Sequence, residues 1–295
     1  MKHLAKVVGY VEYENLTTGP VSSISPDKSL NWCDWHVLAE GDSWFSFNKI
    51  TDLNGNLLSV LEFEKPTAIC NLSFPGDNVA QMMDGTEKGI LNKKRVAVFK
   101  KAVASRKWHM FLLSAGGNDL IDAFDGGYSI SDNKKVQIIK KDTQGNDYLD
   151  YIDTVALKLA LDHIKECYQI MIDIFRSDDQ NKRTKIISHT YDYFTIRDCK
   201  NKKDKSIRQA ALEKNGVPRI YWKQIVTHMN LALSEVLLSF NDHSNNIYIV
   251  RTLDTLTPAD EQETGYTRHW RNEIHPNREG YTKLAQDRIN QYLFP

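Results

Sequence analysis

The sequence predicts an α/β fold, a three-layer α/β/α sandwich around a five-stranded parallel sheet. Short apolar runs of strand length recur along the chain and end in small or polar residues. Between them lie longer segments with apolar residues at every third or fourth position, the spacing of a one-sided helix. Strand and helix alternating in this way imply parallel strands covered by helices on both faces.

In chain order, an N-terminal extension of about residues 1–33 precedes the first run. His36–Ala39, Ala68–Leu72, Met110–Leu113, Lys185–Ser188 and Ile247–Val250 then read as the strands. Ile152, Val155, Leu159, Ile164, Cys167, Met171 and Ile174 predict a long one-sided helix. Trp222, Ile225, Met229, Leu233, Val236 and Leu237 predict a second. Tyr281, Leu284, Ala285, Ile289 and Tyr292 predict a third, with Asn277 as its N-cap after Pro276. Two stretches break the rhythm and read as loop insertions: about 122–150, rich in Gly and Asp, and about 197–218, rich in Lys and Asp. Such insertions either shape a substrate site or are surface excursions. With no internal repeat or linker, residues 1–295 read as a single domain.

Composition narrows the function. The chain of 295 residues is 41% hydrophobic and 26% charged, as in soluble globular proteins. Lys plus Arg equals Asp plus Glu at 38 each, so electrostatics favours neither nucleic acid nor an anionic membrane as partner. The basic run Lys200–Lys205 reads as a solvated loop. No stretch approaches the roughly 18 apolar residues of a membrane span, and Met1–Tyr10 lacks the apolar core of a signal peptide. Cys33, Cys70, Cys167 and Cys199 are widely spaced without a C-x-x-C pair, which fits buried thiols and a cytoplasmic location.

Ligands of open parallel sheets bind outside the carboxyl ends of the strands. Those ends carry Glu40-Gly41-Asp42-Ser43-Trp44, Phe74-Pro75-Gly76-Asp77-Asn78 and Ala115-Gly116-Gly117-Asn118-Asp119, and Asn272-Glu273-Ile274-His275-Pro276 lies beyond the fifth strand. Taken singly, each has a plain structural reading: a capping serine, a turn glycine, a loop-bracing asparagine, a surface histidine. Together they place a serine, a glycine, an asparagine and a histidine along one edge of one sheet. A serine hydroxyl needs a neighbouring base to become a nucleophile, and His275 alone among the nine histidines has a matching position. His269 with His275 lacks the further ligands a metal site requires.

These blocks resemble the SGNH hydrolases, or GDSL esterases and lipases. Gly41-Asp42-Ser43 matches the family's first block, Gly76 its second, Gly116-Gly117-Asn118-Asp119 its third, and Asn272-Glu273-Ile274-His275-Pro276 its last. The resemblance implies a flavodoxin-like sheet and ester hydrolysis through an acyl-serine. It implies Ser43 as nucleophile and His275 as general base. The oxyanion hole it implies is the backbone N–H groups of Ser43 and Gly76 with the side-chain amide of Asn118. It implies a small-molecule ester as substrate and no metal or cofactor. Acyl transfer to an alcohol shares the same first half-reaction, and a binding module that keeps the fold is the reading from another class.

The departure is Asn272, where the family has Asp to hold the imidazole. Asn accepts a hydrogen bond but brings no charge. Asp254, at the end of the fifth strand, is the first candidate to supply it; Glu273 is the second, and Asp192 or backbone carbonyls are further options. Trp44, Phe45 and Phe74 flank the blocks and read as core or as an apolar wall beside the acyl group.

Overall fold

Six parallel strands form the central sheet: β1 (Lys6–Gly9), β2 (Trp35–Gly41), β3 (Thr67–Asn71), β4 (Met110–Ser114), β5 (Lys185–His189) and β6 (Ile247–Val250). Their spatial order is β6-β5-β4-β2-β3-β1. The computed structural model describes residues 2–18, 29–46, 55–83, 90–131, 134–197, 199 and 207–294. The run 200–205, and parts of the N-terminal extension (1, 19–28) and of the insertions (132–133, 198, 200–206), lie outside the described residues.

Every residue of β2, β3, β4 and β5 is buried, which is why these strands read as continuous apolar runs. The order β3-β2-β4-β5-β6 is the flavodoxin-like arrangement, with the direction of winding reversing at β2. Right-handed crossovers on either side of that reversal put helices on opposite faces, giving three layers. Residues following β2 and β4 therefore flank the switch point. The register aligns Gly41 with Ser114 and Leu113 with Ser188, so these strands end at one level.

The sixth strand is the difference from expectation. β1 comes from the N-terminal extension and pairs with β3 in the register Val7 to Ile69 and Val8 to Cys70. At the sheet edge only one of its four residues is buried, so its apolar signal is weak. Helix α1 (Tyr10–Thr18) follows directly and buries Tyr13.

Helix α2 (Ser43–Ser46) follows β2, α3 (Ile90–Ala104) precedes β4, and α4 (Gly117–Asp125) follows it. The insertion after α4 carries an antiparallel pair, Tyr128–Ser131 with Lys134–Val136. Helix α5 (Thr154–Arg176) starts at Asp153, whose carboxylate accepts the Ala156 N–H at 2.9 Å. Its buried face runs through Leu157, Ala160, Ile164, Tyr168, Met171 and Phe175, while Val155 is exposed, so the face is rotated from the predicted stripe. Helix α6 (Trp222–Leu238) buries Trp222, Ile225, Met229, Leu233 and Leu237, with Val236 half-buried. Helix α7 (Arg278–Leu284) starts at Asn277, whose side chain accepts the Gly280 N–H at 2.9 Å.

Cys33, Cys70 and Cys167 are buried thiols, and no disulfide joins the described cysteines. Among the described residues no helix is long and apolar enough to cross a membrane.

Candidate active site

The turn from β2 into α2 is held by a buried carboxylate. Asp42 accepts the Trp44 N–H at 2.9 Å, the Ser114 hydroxyl at 3.0 Å and the Tyr191 hydroxyl at 2.5 Å. Its own N–H donates to the Ser114 carbonyl at 3.0 Å, where a Cβ on Gly41 would lie 2.7 Å from the same oxygen. Burial pushes the Asp42 carboxyl up to about 6, against the pull of those donors. Ser43 is thereby fixed as the first residue of α2, and a backbone N–H at that position has no intrahelical partner.

The loop after β4 is shaped by glycines. Gly116 has φ +100°, a conformation in which a side chain is strained. A Cβ on Gly117 would meet the Tyr191 ring at 2.8 Å, so its absence lets Tyr191 reach Asp42. Asn118 donates from Nδ2 to the Asp77 carbonyl at 2.9 Å. Asp119 is fully buried and accepts the Val79 N–H at 2.9 Å. These bonds tie α4 to the loop after β3. Gly76 lies in that loop with φ +84°, in the exposed turn formed by residues 74–76 and one residue before Asp77.

The histidine loop packs beneath α7. A Cβ on Gly280 would meet the His269 carbonyl oxygen at 2.3 Å, so the helix sits directly on the loop backbone. Asn277 donates to the carbonyls of Thr267 and Arg268 at 2.9 and 3.0 Å. The Trp44 indole N–H donates to the Ile274 carbonyl at 3.1 Å, joining this loop to α2. His275 Nε2 lies 2.7 Å from Ser43 Oγ, and its Nδ1 lies 3.1 Å from Asn272 Oδ1. Burial first, then the charges of Arg208 and Arg271, lower His275 to about 3, so the ring is neutral.

Asn272, the departure from the family pattern, is thus the residue at the ring. Asp254 lies elsewhere, and its place as first candidate is corrected. Its backbone is left-handed (φ +63°), and its side chain, 69% exposed, pairs with Arg251 at 3.6 Å. Asp192 spends its carboxylate on the N–H groups of Tyr193, Asp254, Thr255 and Leu256, which turns the chain after β6. Glu273 is buried and pairs with Arg208 at 3.4 Å.

Sequence reasoning missed Tyr191 and Arg197. Tyr191 follows β5 and directly precedes Asp192, so its place at a strand end was the one local signal it carried. Arg197 is 1% exposed and donates to the carbonyls of Glu263 and Asn272 at 3.0 and 3.3 Å. With Arg208 it anchors the predicted insertion to the histidine loop.

An apolar cavity opens beside Ser43, lined by Trp44, Asn118, Leu120, Ile121, Tyr191, Phe194, Leu233 and Ile274 among others. Trp44 is both core and wall: it is 3% exposed and stacks on His189 at 5.3 Å. Phe45 is core, and Phe74 is exposed under the Arg95 guanidinium.

No family model matches the chain, and no curated protein matches it. Solved structures do. One is the lipase Lip_vut3 from a goat rumen metagenome, at 11% identity and TM-score 0.49 over 85% of this chain and 94% of that one. Another is an extracellular lipase from Streptomyces rimosus, at 10% identity and TM-score 0.44 over 86% and 99%. A third is a GDSL-like lipase from Bacteroides thetaiotaomicron, at 11% identity and TM-score 0.36 over 94% and 92%.

Proposed function

We propose that this chain is an SGNH hydrolase that cleaves carboxylic esters through an acyl-Ser43 intermediate. The observation that carries this reading is the 2.7 Å approach of His275 Nε2 to Ser43 Oγ at the switch point of the sheet. Ser43 Oγ attacks the ester carbonyl carbon while its proton passes to His275 Nε2. The tetrahedral adduct collapses, the alcohol leaves with that proton, and the acyl group remains on Ser43. Water then repeats the sequence with His275 as base, releasing the acid and restoring the serine.

The oxyanion is held in this reading by the N–H groups of Ser43 and Gly76 and by Asn118 Nδ2. Asn118 uses one amide hydrogen on Asp77 and keeps a second for the substrate. Asn272 holds the ring through Nδ1.

Labelling with a fluorophosphonate tests the proposal. The expected result is one adduct on Ser43, located by peptide mapping, and none in Ser43→Ala. His275→Ala and the double variant should be as impaired as Ser43→Ala, since the pair acts as a unit. Label on another serine, or additive losses, would overturn it.

A further inference from the structure

The cavity beside Ser43 is small. Its volume is about 30 Å³, and a cavity needs ~10–15 Å³ to hold one water. It therefore holds the equivalent of two or so waters, the size of a methyl or ethyl group. Its walls are mainly apolar: Leu120, Ile121, Phe194, Leu233 and Ile274.

Those walls are fixed by packing. Leu120 and Leu233 are 1% and 2% exposed. A Cβ on Gly116 would lie 3.3 Å from Leu233 and 3.4 Å from Ile164, so α4, α5 and α6 already touch at that point. Tyr191 lies against Gly117 on another side with its hydroxyl bound to Asp42. A longer chain would have to displace core side chains, which interiors resist, or turn back out through the mouth of the cavity and lose its apolar contacts. A larger groove of about 610 Å³ shares Phe194 with the cavity, but neither Ser43 nor Asn118 lines it. An acyl group held there would lie away from the nucleophile.

We infer that this cavity is the acyl subsite and that it restricts the enzyme to short acyl groups, acetyl and propionyl, with Ile121 and Leu233 setting the limit. The inference rests on the assignment of Ser43 as nucleophile.

The test compares kcat/KM for 4-nitrophenyl acetate, butyrate, hexanoate and octanoate in the wild type, Ile121→Ala and Leu233→Ala. In the wild type, acetate should exceed hexanoate by about tenfold or more, since one misfitting methylene in an apolar pocket costs roughly tenfold or more. Either truncation should raise the hexanoate-to-acetate ratio about tenfold. Ile121 is the less buried of the two, at 8% exposure, and carries the test if Leu233→Ala does not fold. Octanoate turned over as well as acetate by the wild type, or ratios unchanged in the folded variants, would overturn the size limit while Ser43 still takes up fluorophosphonate. No turnover at any chain length together with no label on Ser43 would overturn both readings.

Discussion

Asn272 Oδ1 lies 3.1 Å from His275 Nδ1 while accepting the backbone N–H groups of Ile274 and His275 at 3.0 and 2.8 Å. An atom that takes two backbone N–H groups is the amide oxygen and not the nitrogen, and it can only accept from the ring. The hydrogen therefore sits on Nδ1, and Nε2 turns its lone pair toward Ser43 Oγ. The amide sets the tautomer a general base needs and adds no charge. Replacing the Asp of a serine-protease triad by Asn costs ~10⁴ in kcat through the wrong tautomer; here the loop backbone prevents that error.

Asn272→Ala should therefore lower kcat by roughly 10²–10⁴. Asp254→Ala should leave kcat unchanged, because Asp254 faces solvent beside Arg251. Steady-state kinetics on one ester decides the order, and a silent Asn272→Ala would show that another group orients the ring.

The pH profile follows from the same contact. With His275 lowered to about 3 from the usual 6.5, kcat/KM of the wild type should stay level as pH falls through 6.5. Asn272→Asp places a carboxylate against the ring and favours the imidazolium, so its acid limb should move to higher pH. A stronger base should also make Asn272→Asp as fast as the wild type or faster at neutral pH. Rate profiles from pH 4 to 9 test both.

Gly117→Ala should be more damaging than Gly76→Ala to stability. The new Cβ meets the Tyr191 ring at 2.8 Å, whereas at Gly76 none of the described residues comes within 4 Å of that position. Overpacking costs about 1–3 kcal/mol, against about 1–2 kcal/mol for an L side chain in the left-handed region at position 76. Gly117→Ala should also loosen the Tyr191–Asp42 bond and with it the Ser43 turn. Urea unfolding compares the two variants.

Asn118→Ala should lower kcat by about 10²–10³ with little change in KM, the pattern of a lost oxyanion donor. Because Asn118 also braces the Asp77 carbonyl, the melting temperature separates the two roles. An equal loss of stability and activity would leave Asn118 only a loop brace.

His189 gives a pH-dependent stability. It is buried, Nδ1 bonds the Thr190 carbonyl at 2.7 Å, Nε2 has no hydrogen-bond partner among the described residues, and burial lowers it to about 4 from 6.5. Unfolding therefore takes up a proton between those values. Its contribution is complete above pH 6.5 and is lost as pH falls toward 4. His189→Phe keeps a ring against Trp44 and removes the titration. The stability difference between pH 7 and pH 5 should shrink by about 2 kcal/mol relative to wild type, measured by urea unfolding at both values.

The sequence by itself determined the α/β class, the strands β2 to β6, the helical segments that became α5, α6 and α7, and the blocks at Ser43, Gly76, Asn118 and His275. These are legible because a buried parallel strand is a local apolar run and an N-cap such as Asn277 acts over three residues. The β1 strand was not legible, since an edge strand of four residues with one buried carries almost no pattern. The support of His275 was misread for a different reason. Asp254 was favoured by its place after β6, but its side-chain direction depends on a left-handed backbone that Asp192 stabilises from another loop. Tyr191 reaching Asp42, Arg197 gripping the Asn272 carbonyl, and the cavity of about 30 Å³ beside Ser43 were decided only by tertiary structure. Each depends on a distance between residues far apart in the chain, and such distances follow from how helices pack on the sheet, a property no local spacing encodes.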